Sequence, residues 1–150
     1  MDRFGNINTS YISDMDHAKV KLPGLGGAPD IAAMAGHLVI IINYQKYRLI
    51  EKVDFITSPN ILDCGDARKK AGLPGGGPAV IITDGGILQP YGPTNEFHPA
   101  STHPGHSLGK IQRNTSRTPQ CIPDVPETPP LTNDKMAALH HIDKEGFRRS

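Results

Sequence analysis

The stretch Lys19-Val-Lys-Leu-Pro-Gly-Leu-Gly-Gly-Ala-Pro-Asp-Ile-Ala-Ala-Met-Ala35 limits the chain's folding options most. It reads as a short strand, a glycine turn and a helix start. Glycines at 24, 26 and 27 remove every Cβ from the bend, so the backbone can take φ > 0 and a ligand can come close to bare amides. Pro29 suits a first helical turn, where its missing N–H costs nothing. Turn amides and the positive helix end would then face one spot, a place for an anion or a developing oxyanion. The spacing is not a dinucleotide fingerprint, because Pro29 stands where a third glycine belongs. No G-K-[ST] follows, so it is not a P-loop either. Spacing alone leaves two readings open: an amide cradle, or a tight strand–helix turn with no ligand.

The chain has 150 residues, enough for one domain with its own core. Sixteen basic residues against fifteen acidic ones leave almost no net charge, which argues against nucleic acid or an anionic membrane as main partner. Cys64 and Cys121 form no C-x-x-C, so a disulfide framework or zinc cage is not expected and a reducing cytoplasm fits best. The longest apolar run, Leu38–Ile42, falls far short of the roughly 20 residues that span a bilayer. The opening Met-Asp-Arg-Phe-Gly-Asn shows no apolar signal segment. Sixteen glycines and fourteen prolines, concentrated in the second half, predict many loops there.

Along the chain, Asn6–Ile12 alternates like a half-buried strand, and Val20–Leu22 is a second short strand. Ile31–Ala35 predicts one to two helical turns. Residues 37–43 are apolar and β-branched, a pattern for a central strand covered on both faces. Leu49–Thr57 reads as a further strand stopped at Ser58-Pro59-Asn60. Asp63–Ala71 is charged and weakly helical. Ala79–Thr83 reads as a buried strand that turns at Asp84-Gly85 into a returning strand at Ile87–Leu88. Ser107–Asn114 and Thr132–His140 predict short helices capped by Ser107 and Thr132, with a Pro-rich arm at Thr118–Pro130 between them. The class is α/β, a mixed open sheet with short helices and a Pro/Gly-rich C-terminal arm.

Six blocks then follow in order: Gly24–Asp30, Glu51–Pro59, Gly72–Pro78, Ile81–Ile87, His103-Pro-Gly105 and Pro126–Pro130. Their order and spacing resemble the β (B) subunit of class I CoA-transferases of the glutaconate type. Asp2-Arg-Phe-Gly-Asn-Ile-Asn8 also looks like that family's D-x-x-G-N-x-N turn. The resemblance covers the C-terminal part of such a subunit, so residues 1–150 are expected to form the C-terminal part of a β-subunit-like domain. It implies CoA transfer between an acyl-CoA and a free carboxylic acid, in a complex with an α subunit. Coenzyme A thioester would be a substrate, and no cofactor would be bound permanently. The family's nucleophilic glutamate belongs to the part upstream, and none of Glu51, Glu96, Glu127 or Glu145 sits in its setting. Two rivals stand beside this reading: a ring-opening acyl-CoA hydrolase subunit of the same superfamily, and a non-catalytic remnant.

By the same resemblance, Gly26 and Gly27 would donate amides to the thioester oxyanion, and Gly24, Leu25 and Ala28 would line the substrate and CoA side. Three departures from the family are visible. Asn60 replaces a glycine but tolerates the left-handed region. Ser116-Arg117 stands in place of Gly-Phe. Leu88–His98 is turn-rich where the family has a regular hairpin. Glu51, Lys52 and Asp54 read chiefly as solvent-facing ion pairs. Ser58-Pro59 is either a site rim or a plain strand stop. His98, His103 and His106 lack the i, i+4 spacing of a helical zinc pair, and His140-His141 point to different faces. No metal is therefore expected. Cys64 reads as a half-exposed loop thiol.

Overall fold

The computed structural model describes residues 1–113, 116 and 124–146. Its centre is a four-stranded mixed sheet in the order β3 (Leu38–Ile41), β4 (Pro78–Ile82), β5 (Gly86–Tyr91), β6 (Glu96–Thr102). β3 and β4 run parallel, and the other neighbours are antiparallel. A separate two-stranded ribbon pairs β1 (Tyr11–Ile12) with β2 (Val20–Lys21). The helices α1 (Ala28–Met34), α2 (Ala67–Lys70), α3 (Leu108–Arg113) and α4 (Asn133–Ile142) are all short.

The register places Ile40 beside Ile81 and Ile81 beside Leu88. All three are buried and join Phe4, Phe97 and Ile111 in one apolar cluster. Each such side chain removed from water contributes about 1.5–3 kcal/mol. The opposite face carries Val39, Ile41, Val80 and Ile82, and it is poorly covered: Val39 is 54% and Ile41 79% exposed. The apolar pattern of residues 37–43 predicts a central strand covered on both faces. Instead β3 is the edge strand, and its second face is open.

Side chains explain the other differences. Only Tyr11–Ile12 of the expected strand at 6–12 joins a ladder. Upstream, the Asp2 carboxylate accepts from the amides of Phe4 and Asn6, and Asn8 Oδ1 accepts from Ser10 and Tyr11. Local side-chain acceptors of this kind compete with strand pairing. Leu49–Thr57 is not a strand; its ends are held instead by single bonds, Ile50 N to Met1 O and Thr57 N to Ile7 O. Asn60 does not use the left-handed region; its amide donates to Asn6 Oδ1 and its Nδ2 to Gly5 O. Residues 88–98 do form a regular hairpin, because Gly92 and Asn95 take positive φ and close the turn compactly. The α3 and α4 starts match expectation, with Thr132 Oγ1 accepting from Lys135 N. Of the Pro-rich arm, 118–123 lies outside the described residues, as do Asn114 at the end of the expected helix and Arg117. Its later part runs beside β6, where Thr102 N donates to Pro126 O and Thr128 N to Thr102 O.

Candidate functional site

The glycine turn is held from one side. Leu22 N donates to Ser10 O at 2.8 Å, Gly24 N to Thr9 O at 2.7 Å, and Thr9 Oγ1 to Gly24 O at 2.8 Å. Thr9 is itself fixed by the hydrogen bond its backbone N–H donates to Thr57 Oγ1 at 2.9 Å. Gly24 (φ +101°) and Gly26 (φ +50°) then occupy backbone regions that L side chains rarely adopt. Gly27 (φ −86°, ψ 3°) is the N-cap of α1, with Pro29 in the first turn and Ile31 N bonding back to Gly27 O at 3.1 Å.

Five expected site residues therefore lie together at one exposed bend, and they differ in what they have left to offer. Gly24 has both backbone groups engaged by Thr9. Ala28 N donates to Leu25 O at 3.3 Å. The amides of Gly26 and Gly27 donate to no described residue, and a Cβ at either would meet nothing within 4 Å. Leu25 presents its side chain to solvent. The helix behind the turn has seven residues, so the donors come from the turn itself rather than from a long macrodipole. An apolar hollow of about 910 Å³ borders the strand that leads in, lined among others by Thr9, Ile12, Leu22, Pro23, Ile42 and Ile50.

The remaining candidates are distributed elsewhere. Glu51 pairs with Arg3, and Asp54 accepts from Ser13 N, both from irregular backbone rather than from a strand. Ser58 is buried and bridges to Ile7, so Ser58-Pro59 anchors the ribbon side. His103 clamps two segments: Nε2 lies 3.0 Å from Thr83 O and Nδ1 3.1 Å from Thr128 Oγ1. A carbonyl only accepts, so Nε2 carries the proton. His98 is buried and packs edge-on to Tyr91. His140 and His141 are exposed, as is Cys64; Cys121 lies outside the described residues. Among the described residues no three His, Cys, Asp or Glu side chains gather as metal ligands, and no helix is long and apolar enough to cross a membrane.

Two features escaped the sequence reading. Asp2, Asn6 and Asn60 form a buried polar knot, of which the D-x-x-G-N pattern was the only trace. Arg68, in the charged stretch beside Lys69 and Lys70, is buried while both lysines are exposed. Nothing in the local sequence separates it from them.

Comparison with known proteins extends this picture. The Coenzyme A transferase family pattern matches residues 1–114. The chain is 42% identical over 143 residues to the 3-oxoadipate CoA-transferase B-subunit of Pseudomonas knackmussii, covering 95% of this chain and 55% of that protein. It is 35% identical over 116 residues to the glutaconate CoA-transferase B-subunit of Acidaminococcus fermentans, covering 77% and 43%. The crystal structure of glutaconate coenzyme A-transferase from the same organism superimposes with a TM-score of 0.80 at 30% identity, over 93% of this chain and 54% of that one. Rhodococcus jostii IpdAB shares the fold, with a TM-score of 0.80 at 18% identity over 99% and 60%. The chain spans about half the length of the curated relatives it matches.

Proposed function

This chain belongs to the Coenzyme A transferase family, and on that premise we propose that it supplies the oxyanion side of an acyl-CoA transfer site. The observation that carries the reading is the pair of unengaged amides at Gly26 and Gly27, on a turn fixed by Thr9 and open to approach. When a carboxylate oxygen attacks an acyl-CoA carbonyl, the carbonyl π electrons move onto its oxygen. Preorganised N–H donors stabilise that charge, and losing one typically slows turnover about 10²–10³-fold. Gly24 shapes the bend, while Leu25 and Ala28 would flank the thioester. The substrates on this reading are an acyl-CoA and a free carboxylic acid, with the CoA thioester consumed and re-formed rather than held as a cofactor. The partner is an α-type subunit, as the names of the B-subunit relatives suggest, and the setting is the cytoplasm.

A class I transferase works through covalent attack by an enzyme carboxylate. None of the glutamates here stands in the family's nucleophile setting, and Glu51 is tied to Arg3. The carboxylate would come from polypeptide corresponding to the part of the relatives that this chain does not span. The test is mass spectrometry of the 150-residue chain after incubation with an acyl-CoA, alongside an assay of transfer to acetate. The expected result is no CoA adduct and no transfer by the chain alone. Transfer should appear once an α subunit and a glutamate-bearing segment are added. A CoA thioester on Glu51, Glu96, Glu127 or Glu145 of the lone chain would overturn the assignment.

A further inference from the structure

The turn that carries Gly26 and Gly27 is joined to a helix too short to be stable by itself. What fixes that helix lies at its other end. Arg68 is 8% exposed, and its guanidinium spends all five N–H groups on backbone carbonyls. Nε donates to Gly75 O at 2.7 Å. Nη1 reaches Pro59 O at 3.1 Å and Asn60 O at 2.9 Å. Nη2 reaches Ala32 O and Ala33 O, both at 2.7 Å. The last two are carbonyls near the C-terminal end of α1, where a cation is favoured.

The site around it is made for that side chain. A Cβ at Gly77 would stand 3.2 Å from Arg68 Cδ, and one at Gly75 would stand 2.4 Å from Ala35 O. Gly75 N also donates to Ala33 O at 3.0 Å. The three segments that meet at Arg68 have no carboxylate among these acceptors, so the charge is balanced by carbonyl dipoles alone. Lysine could not reproduce this, since one ammonium offers three donors from a single point.

We propose that Arg68 is a positioning residue: it fastens the C-terminal end of α1 to the Pro59–Asn60 segment and the Gly75–Gly77 loop, and so holds the glycine turn at the other end in register. The functional half of this inference rests on the oxyanion reading above; the structural half does not. A seven-residue helix is about 10 Å long. A helix this short has little stability of its own, so release at Ala32 and Ala33 lets it fray back to its N-cap at Gly27.

Hydrogen exchange by mass spectrometry on the full chain, comparing wild type with Arg68→Lys and Arg68→Ala, tests the clamp. Exchange should rise on the order of tenfold in peptides covering 24–36, with peptides of β5 and β6 unchanged. Added ethylguanidinium should restore protection to Arg68→Ala. In the assembled enzyme, Arg68→Lys should lower kcat and leave KM for acyl-CoA nearly unchanged. Unchanged exchange at 24–36 in Arg68→Lys, or an equal rise across the sheet, overturns the proposal; if Arg68→Ala fails to fold, Arg68→Lys alone decides. A loosened turn with unchanged kcat leaves the clamp standing and counts against the oxyanion reading instead.

Discussion

Two glycine-containing bends in this molecule use their backbone donors in opposite ways. At the Asp2–Asn6 bend the amides are consumed internally. Asp2 Oδ1 accepts from Phe4 N and Asn6 N at 3.0 Å each, Asn6 Nδ2 reaches Asp2 Oδ2 and Leu62 O, and Asn6 Oδ1 takes Asn60 N and Leu62 N. At the Gly24–Ala28 bend the entering residues are fastened equally well by Thr9, yet Gly26 and Gly27 leave their amides open. Exposed amides at a helix start can be satisfied by water, so the open donors at Gly26 and Gly27 permit the proposed oxyanion role rather than require it. The contrast sets a closed, buried knot against an exposed turn with two open donors within one chain.

The knot should fail hardest when touched. Asn6→Ala strips partners from several buried groups, each costing about 1–3 kcal/mol, for an expected loss of roughly 3–5 kcal/mol in urea denaturation. A loss below about 1 kcal/mol would erase the contrast. Next in size is the open sheet face. Ile41 and Val39 should drive self-association of the isolated chain, and the double change to lysine should shift sedimentation toward monomer. A wild-type chain already monomeric at high concentration would argue that this face is covered in a way the structure does not show.

A smaller, pH-dependent effect sharpens the account of the knot. Burial raises the Asp2 pKa above its ordinary 3.8, against the lowering by its hydrogen bonds. The folded state then holds the proton more tightly than the unfolded one. The Asp2 contribution to stability is therefore fully present below the unfolded value and is lost as pH rises through the folded one. Relative to Asp2→Asn, wild type should lose stability as pH climbs from the ordinary carboxylate value upward; a gain across that window contradicts burial as the dominant cause. The smallest effect belongs to the surface: Glu51→Gln should cost no more than about 1 kcal/mol, less in high salt.

The legible parts of the fold were those written in local chemistry. The Thr132 cap, the Thr83–Gly86 reversal, the short ribbon strand at Val20 and the glycine turn all follow from residue type and spacing. The illegible parts depend on what packs where. The apolar run at 38–42 announces a strand but not its place, and β3 proved to be an edge. The alternation at 6–12 was real, but Asp2 and Asn8 captured the amides a ladder would need. At the site, the three glycines named the bend, while Thr9 and Arg68, which hold it, come from distant sequence and look like ordinary polar residues. The resemblance to B subunits supplied the chemistry that spacing left open.

The central claim is that the Gly26–Gly27 amides act on substrate rather than on the fold. Gly27→Val tests it most directly, because Gly27 has an ordinary φ and no atom lies within 4 Å of the new Cβ. Val keeps the Gly27 N–H but sets a branched side chain in the open space beside it. In one preparation of the assembled enzyme, kcat/KM should therefore fall far more than the stability does, the latter changing by no more than about 1 kcal/mol. Turnover and stability lost in equal measure, or turnover unchanged, would contradict the account.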